Sequence, residues 1–239
     1  MHRFDRSTLE EKFQIAIDDE KLIPATIFYL PEFIDKEQEE YLLRSVENSP
    51  KPKWTYLSNR RLQNWGGLPH RRGMIAEPLP IWLKIYCDKV SQLGVFDDKT
   101  PNHVLVNEYL PKQGIMPHED GSLFYPTVAT INLGSHTVLN FYKKNQHEAT
   151  VIEPDYIEGS ERCDRGVLRS KVFSLLLQPR SLLILKNDAY KDYMHGIEEV
   201  AEDVINDQMV NLHLVSGAKS GDKLIRGTRV SLTIRVLTM

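Results

Sequence analysis

Two histidines and one carboxylate in this chain have the types and spacing of metal ligands. His118 and Asp120 lie two residues apart in the sequence MPHEDG at 116–121, so both side chains point to one face if this segment is extended. His195 lies in the sequence YKDYMHGI at 190–197, where we expect it to follow a strand. Two histidines and a carboxylate can occupy one face of an octahedral iron ion and leave the other positions open for a co-substrate and O₂.

These residue types do not by themselves identify the metal. Zinc hydrolases also bind their metal through two histidines and a carboxylate, and a His-x-Asp pair is common by chance. The interpretation as an iron centre therefore depends on the polar residues that accompany the three ligands.

The sequence RVSLTIR at 229–235 is one such companion. Side chains alternate along a strand, so one face carries two arginines and two hydroxyl groups and the other carries aliphatic residues. The polar residues are Arg229, Ser231, Thr233 and Arg235. Burying two arginines is costly without an anion, and a guanidinium pairs bidentately with a carboxylate. The pattern indicates either a site for a small dicarboxylate or an edge strand with a solvated polar face.

A second polar face is predicted in the sequence LVNEY at 105–109. Asn107 and Tyr109 share this face, and Asn107 precedes His118 by eleven residues. An amide and a phenol in this position can donate hydrogen bonds to a carboxylate or keto group. Alternatively, Tyr109 packs across strands and Asn107 belongs to a turn.

Together these motifs resemble the AlkB family of Fe(II)- and 2-oxoglutarate-dependent dioxygenases. The resemblance rests on Asn-x-Tyr at 107–109, His-x-Asp at 118–120, His-Gly-Ile at 195–197 and Arg-x-Ser-Leu-Thr-x-Arg at 229–235, and covers residues 102–239 by motif. Four further stretches are similar to one eukaryotic branch of that family. They are YLPEFI at 29–34, RLQNWGGLPH at 61–70, KQGIMPHEDG at 112–121 and INLGSHTVLNFY at 131–142.

The resemblance implies a double-stranded β-helix (jelly-roll) core and oxidative demethylation of alkylated nucleic acid, with RNA favoured over DNA. It implies Fe(II) bound by the catalytic residues His118, Asp120 and His195, with 2-oxoglutarate as co-substrate. Arg229 would pair with the distal carboxylate of 2-oxoglutarate, and Arg235 would lie near the iron, close to Asp120. The other residues implied at the co-substrate are Asn107, Tyr109, Ser231 and Thr233.

The chain departs from the family pattern at two places. Bacterial members tend to have asparagine where Ser231 stands, and the interval from His195 to Arg229 is long. Two other functions stay open: a binder of modified RNA with little turnover, and a dioxygenase that acts on a protein side chain or small molecule.

The segment from residue 48 to 76 is the candidate substrate contact. It contains six Lys or Arg residues and no Asp or Glu, although the whole chain has a net charge of −3. Aromatic side chains stack on bases, and basic side chains contact phosphates. We expect Trp65 and His70 to contact a base; the expected phosphate contacts are Arg60, Arg61, Arg71 and Arg72. The alternative is a solvated loop over buried tryptophans.

The predicted elements place these motifs in an α+β protein whose helices pack on one side of a β core. Helices are expected at 7–20, after Asp35 and at 81–94, and an early strand at 26–30. Later strands are expected at 103–110, 127–133, 136–142, 172–178, 181–186 and 228–236. We divide the chain into N-terminal helices with a nucleotide-recognition lid (1–101) and a dioxygenase core (102–239). The core has insertions near 143–171 and 199–226, and a further strand is possible at 209–215.

Composition limits the remaining possibilities. The chain has 239 residues and two cysteines without a CxxC pair, which disfavours a disulfide scaffold or zinc finger and favours a reducing compartment. Cys87 is expected in the core, and His103 and His136 in packing or surface positions. Apolar runs are too short to cross a bilayer, and residues 1–13 lack the apolar region of a signal peptide. We therefore expect no membrane contact. We also expect a monomer in the cytoplasm and nucleus.

Overall fold

The computed structural model describes residues 11–15, 23–68, 75–144, 162–163 and 170–238. The helices are α1 (Lys36–Glu47), α2 (Ile81–Ser91) and α3 (Asn187–Lys191), with 3₁₀ turns at Lys51–Lys53 and Leu212–Leu214. The first seven strands are β1 (Ile27–Leu30), β2 (Trp54–Leu57), β3 (Arg60–Trp65), β4 (His103–Tyr109), β5 (Ile115–Glu119), β6 (Phe124–Leu133) and β7 (Thr137–Lys143). The others are β8 (Arg162–Cys163), β9 (Lys171–Leu177), β10 (Leu182–Lys186), β11 (Tyr193–Ile197), β12 (Glu202–Val204), β13 (Lys223–Ile225) and β14 (Arg229–Leu237).

Two antiparallel sheets form the body of the molecule. The larger sheet has the strand order β1-β10-β6-β14-β4-β3-β2, and the smaller sheet has the order β8-β5-β11-β7-β9. Strands β12 and β13 pair only with each other. The inner faces of the two sheets share one apolar cluster, in which Tyr109 and Leu183 of the larger sheet pack with Phe141 and Phe173 of the smaller sheet. This arrangement is the double-stranded β-helix that was expected.

Helices α1 and α2 cover the outer face of the larger sheet. In α1, the Asp35 carboxylate accepts a hydrogen bond from the Gln38 backbone at 2.8 Å and the Gln38 side chain accepts one from the Asp35 backbone at 3.1 Å, which is a capping box. Buried residues of α1 and α2 pack in one cluster with Val104 and Leu232 of the sheet. Cys87 is part of this cluster, as predicted, and burial raises the pKa of its thiol to about 12. The α+β class with helices on one side is therefore confirmed.

Two sequence-based element predictions need correction. Residues 11–13 are helical, but Gln14 forms a β-bridge with Phe28, so the helix expected at 7–20 does not continue through it; residues 1–10 and 16–22 lie outside the described part. The expected strand at 209–215 is a 3₁₀ turn at Leu212–Leu214, with a single bridge from Met209 to Ser174.

The segment at 199–226, expected as an insertion in the core, contains a pair of strands. Strands β12 and β13 form a hairpin in which Arg226 donates to both carboxylate oxygens of Asp203, at 2.6 and 2.7 Å. Both residues are buried. Most of the other insertion, 143–171, lies outside the described residues.

The larger sheet continues across the boundary expected at residue 102. Strand β3 pairs with β4, and β1 pairs with β10, so strands from both parts belong to one sheet. The division into two parts stays a prediction. In the described ranges, no helix has the length and apolar character needed to cross a membrane.

Candidate active site

One cavity lies between the two sheets and contains most of the polar residues singled out in the sequence. Its volume is about 550 Å³, including the part open to solvent. Its polar lining consists of Asn107, Tyr109, His118, Asp120, Thr130, His195, Arg229, Ser231 and Thr233. Aliphatic side chains, among them Leu139, Leu177 and Leu185, form the rest of the wall.

Strand pairing brings the two candidate histidine ligands together. His195 lies directly opposite His118 in the β11–β5 ladder, and the centroids of the two rings are 4.5 Å apart. His195 follows strand β10, as expected, but it lies in the middle of a further strand, β11, which was not predicted. A Cβ atom at Gly196 would lie 3.0 Å from both the Ile115 carbonyl oxygen and the Pro117 nitrogen, so only glycine permits this close approach of β11 to β5.

Asp120 follows β5 and is the third candidate ligand beside the two histidines. Its Oδ2 lies 3.8 Å from Nε2 of His195. Within the described ranges, no three His, Cys, Asp or Glu side chains meet the geometry of a finished metal site. The three residues are thus neighbours on one side of the cavity rather than a closed ligand set.

His118 is held in the tautomer that suits a metal ligand. Its Nδ1 lies 2.9 Å from the carbonyl oxygen of Met116, which can only accept, so Nδ1 carries the proton and the lone pair is on Nε2. Burial lowers the pKa of His118. The Asp120 carboxylate and the Met116 carbonyl oppose this effect, and the Arg60 cation adds to it. The result is a pKa below the ordinary value and a neutral imidazole.

Asp120 is held in its ionised form by Arg235. Burial alone would raise the pKa of Asp120, but the Arg235 cation and the two histidines lower it below its ordinary value. Nη1 of Arg235 donates to Oδ1 of Asp120 at 2.9 Å, and the guanidinium lies 4.0 Å from the centroid of the Phe124 ring. Arg235 therefore lies beside Asp120, where the resemblance placed it, and supports the carboxylate from behind.

Arg229 is a buried cation on the opposite wall. Its side chain donates to Oδ1 of Asn132 at 2.7 Å and lies 5.6 Å from the ring centroid of Tyr109. Its buried Nε has no hydrogen-bond partner among the described residues, and no Asp or Glu in these ranges forms an ion pair with it. Burial lowers its pKa to about 10. A buried guanidinium with only neutral partners is the feature expected of an anion site.

The remaining predicted co-substrate residues share the Arg229 wall because of strand register. Ser231 lies opposite Asn107, and Arg229 lies opposite Tyr109, in the β14–β4 ladder. Directly opposed residues in antiparallel strands point to the same face, and all of these residues line the cavity. The alternative of an edge strand with a solvated face is excluded, since β14 lies between β6 and β4.

The basic residues of β3 separate onto two faces of the sheet. Arg60 lies on the cavity side, and its Nε donates to Oδ1 of Asn107 at 3.1 Å. Arg61 points to the other side, where it donates to both oxygens of Glu108 at 2.7 and 2.8 Å and covers the Trp54 ring at 4.0 Å. This separation follows from the alternation of side chains along a strand.

Trp65, the remaining expected substrate contact that the structure describes, is not brought to the cavity. Trp65 is 9% exposed, lies in the cluster beneath the helices, and packs edge-on against Trp82 at 5.7 Å between ring centroids. This position argues against the predicted base contact. His70, Arg71 and Arg72 lie outside the described residues.

Sequence reasoning missed two groups of supporting residues. Asn132 binds Arg229, and its own amide donates to Ser181 Oγ at 3.1 Å. Asp203 and Arg226 form the buried ion pair of the β12–β13 hairpin, and Nε2 of His136 lies 3.3 Å from Asp203 Oδ2. The Asp203–Arg226 pair spans 23 residues of sequence, so no local pattern could have revealed it.

Comparison with known proteins agrees with this geometry. The model of the 2OG-Fe(II) oxygenase superfamily matches residues 36–235. The Danio rerio protein named Probable RNA/DNA demethylase ALKBH6 is 54% identical over 224 residues, which are 92% of this chain and 91% of that protein. Uncharacterized protein L905 of Acanthamoeba polyphaga mimivirus is 30% identical over 213 residues, 85% of this chain and 81% of that protein.

Two solved structures share the fold at low sequence identity. The structure of OsALKBH1 has a TM-score of 0.52 at 13% identity and covers 89% of this chain and 99% of that chain. A Pseudomonas putida prolyl-4-hydroxylase has a TM-score of 0.50 at 10% identity, with 90% and 93% covered. The site geometry, the superfamily match and the extended similarity to ALKBH6 lead to one conclusion: the chain belongs to the AlkB family of 2OG-Fe(II) oxygenases.

Proposed function

We propose that this AlkB-type dioxygenase binds Fe(II) and 2-oxoglutarate in the described cavity and oxidatively demethylates alkylated nucleic acid, with RNA preferred over DNA. One observation carries the proposal. A single cavity has two histidines and a carboxylate on one wall and a buried arginine without a carboxylate partner on the other.

The donor set fits a non-haem iron ion. His118 offers the lone pair of Nε2, His195 offers a second imidazole, and Asp120 offers an ionised oxygen, which together form a facial set of two histidines and one carboxylate. The Met116 carbonyl orients His118, and Arg235 orients Asp120. Such supporting hydrogen bonds are typical of metal ligands. Zinc would fit the three ligands equally well, but a zinc hydrolase gives no reason for the buried cation across the cavity.

The opposite wall fits a small dicarboxylate. Arg229 would receive the distal carboxylate of 2-oxoglutarate, which supplies the missing negative charge and a partner for its buried Nε. Tyr109, Ser231 and Thr233 would add hydrogen bonds, and the aliphatic wall would contact the methylene groups and keep water away. When bound, iron and 2-oxoglutarate would supply the O₂-dependent hydroxylation of a substrate C–H bond, in which 2-oxoglutarate is converted to succinate and CO₂.

Nucleic acid is the proposed substrate for two reasons. The Danio rerio relative carries RNA/DNA demethylase in its name, and Arg60 of the β2–β3 hairpin lies at the rim of the cavity. An N-methyl group that is hydroxylated there would leave as formaldehyde. We further propose that residues 51–72 form a lid over a base, that the protein is a monomer, and that it acts in the cytoplasm and nucleus.

The test is succinate formation coupled to loss of a methylated nucleoside. Purified protein with Fe(II) and 2-oxoglutarate is incubated with cellular RNA or DNA, and nucleosides are quantified by mass spectrometry. We expect turnover that is lost in His118→Ala and Arg229→Ala and retained in Arg44→Ala, since Arg44 lies exposed on α1. Wild-type protein that binds RNA but forms no succinate with any nucleic acid would instead be a binder of modified RNA.

A further inference from the structure

His103 is a fully buried polar residue at the start of β4, on the strand face that carries Asn107 and Tyr109. It lies directly opposite Arg235 in the β14–β4 ladder. Its side chain is 0% exposed and packs against Phe124, with 5.4 Å between the two ring centroids. A histidine in this place needs partners for its ring nitrogens, because buried polar atoms are costly without them.

His103 and Arg235 both have unused hydrogen-bonding capacity at this point. Within the described ranges, neither ring nitrogen of His103 has a direct hydrogen-bond partner, and Nε of Arg235 has none either. Nearly all buried polar side-chain atoms are paired with protein atoms or with an ordered water. Because the two residues are cross-strand neighbours, one buried water between them would satisfy an acceptor of the first and the donor of the second.

The imidazole of His103 is suited to accept a hydrogen bond. Burial and the nearby Arg235 cation lower the pKa of His103 well below its ordinary value, so the ring is neutral near pH 7. A neutral imidazole has one N–H group and one nitrogen lone pair in either tautomer, whereas the Nε–H of an arginine can only donate. The complementary contact between the two side chains therefore joins the lone pair of His103 with the Nε–H of Arg235.

Arg235 connects this pair with a candidate metal ligand. Its Nη1 donates to Oδ1 of Asp120 at 2.9 Å, and its guanidinium lies 4.0 Å from the centroid of the Phe124 ring. A planar guanidinium has a defined direction only when both its plane and its rotation within that plane are restrained. Contact with Phe124 restrains the plane, and a hydrogen bond at Nε would restrain the rotation that directs Nη1 at Asp120.

We propose that His103 positions Arg235, and through it the carboxylate of Asp120, by accepting the Nε–H of Arg235 through one buried water. The consequence for metal affinity rests on the proposed function, whereas the contact between His103 and Arg235 exists without metal. Hydrogen bonds that orient metal ligands typically contribute about 10–100-fold to metal affinity. His103 acts through a further residue, so an effect at the lower end, about tenfold, is expected.

The first measurement uses metal-free wild type and follows the Nε–H of Arg235 by ¹H–¹⁵N NMR near neutral pH. We expect this proton to exchange slowly with solvent and to show cross-relaxation with a long-lived water. Exchange as fast as that of the exposed Arg44 Nε–H would overturn the inference. A protected Nε–H without cross-relaxation to a bound water would also overturn it.

Two variants of His103 separate a hydrogen-bond acceptor from simple packing. His103→Leu fills the site with an apolar side chain, whereas His103→Gln retains a carbonyl oxygen that can accept. We expect His103→Leu to abolish the protection of the Arg235 Nε–H and to raise the Kd for Mn(II) about tenfold in calorimetric titration. His103→Gln should recover most of both properties.

The matched control is Thr127→Val. Thr127 is also 0% exposed, and its hydroxyl has no hydrogen-bond partner among the described residues. Its neighbour Val128 lies opposite Arg235, so Thr127 points to the other face of β6. Removal of this hydroxyl should change neither the exchange of the Arg235 Nε–H nor the affinity for Mn(II).

The outcomes distinguish a failure of the inference from a failure of the proposed function. Unchanged Mn(II) affinity in His103→Leu would overturn the positioning role, and so would equal losses in His103→Leu and His103→Gln, which would assign the effect to packing. Circular dichroism and thermal melting establish that each variant is folded; if one is not, the wild-type NMR measurement decides. If wild type binds no Mn(II) with 2-oxoglutarate present, the proposed metal centre is refuted, and the NMR result alone confirms or refutes the contact between His103 and Arg235.

Discussion

Arg229 destabilises the ligand-free protein, and its replacement by methionine should reveal this. Burial lowers the pKa of Arg229 to about 10, which corresponds to an unfavourable free energy on the order of 3 kcal/mol for the charged form. Because the folded pKa lies below the unfolded one, this cost is fully present at pH 7 and is relieved only above about pH 10. Methionine has a similar length and carries no charge.

The substitution also removes one favourable contact. Arg229 donates to Asn132 at 2.7 Å, and loss of the donor leaves a buried amide oxygen unsatisfied, at a cost of about 1–2 kcal/mol. The net expectation for Arg229→Met is therefore a gain of about 1–2 kcal/mol in the free energy of unfolding. For a chain of this size that is a rise of roughly 2–8 °C in Tm.

The ligand response should change in the opposite direction. Saturating 2-oxoglutarate with Mn(II) should stabilise wild type, by about 2.7 kcal/mol at a hundredfold excess over Kd. Arg229→Met should lose most of this shift because the distal carboxylate has no cation to pair with. Differential scanning fluorimetry with and without 2-oxoglutarate measures both effects on one sample.

Arg235→Met is the matched control on the same strand. Arg235 already has a carboxylate partner, so its removal leaves Asp120 buried without its cation and should cost about 3–5 kcal/mol. The reasoning is refuted if Arg229→Met destabilises the ligand-free protein as much as Arg235→Met does. It is also refuted if Arg229→Met keeps the full response to 2-oxoglutarate.

Two further variants test the supporting structure. Asp203→Asn should cost about 3–5 kcal/mol by leaving Arg226 buried without its anion. Burial opposes ionisation of Asp203, but hydrogen bonds from Arg226 and His136 lower its folded pKa. The stability that Asp203 contributes is present above its unfolded pKa and is lost as pH falls through its folded pKa. Urea melts from pH 3 to 7 should therefore show that the free energy of unfolding falls less steeply with decreasing pH in the variant than in wild type. Equal slopes of unfolding free energy against pH would contradict this. Gly196→Ala should weaken Mn(II) binding at least about tenfold in calorimetric titration, because its Cβ would press on the β5 backbone at 3.0 Å. Gly227→Ala, whose Cβ would make an ordinary 3.5 Å contact with Ser135, should bind the metal as wild type does.

Local patterns predicted much of the β core because they determine local structure. The alternation at 229–235 predicted a strand with Arg229 and Ser231 on one face, and β14 has this arrangement. The Asp35 cap predicted the start of α1. Alternation and capping depend on neighbours within a few residues, so they are readable without knowledge of the fold.

Strands β5 and β11 were missed because their sequences are weak strand formers. Pro117 lies within β5 and Gly196 within β11, and both residue types are depleted in strands. Only pairing across the sheet, which places His195 opposite His118, stabilises them as strands. No strand was placed within the basic segment, so the alternation along β3 that separates Arg60 from Arg61 and buries Trp65 was not applied.

The sequence by itself determined the chemical inventory of the centre: two histidines, a carboxylate, two arginines and the strand face on which the arginines lie. Tertiary structure alone decided that Arg235 neutralises Asp120 while Arg229 is left without a carboxylate, although the two arginines share a strand and are six residues apart. It also decided that Asn132 supports Arg229 and that Asp203 pairs with Arg226. These contacts join segments distant in sequence, and the charge state of a buried group depends on which partners the fold brings within a few ångströms.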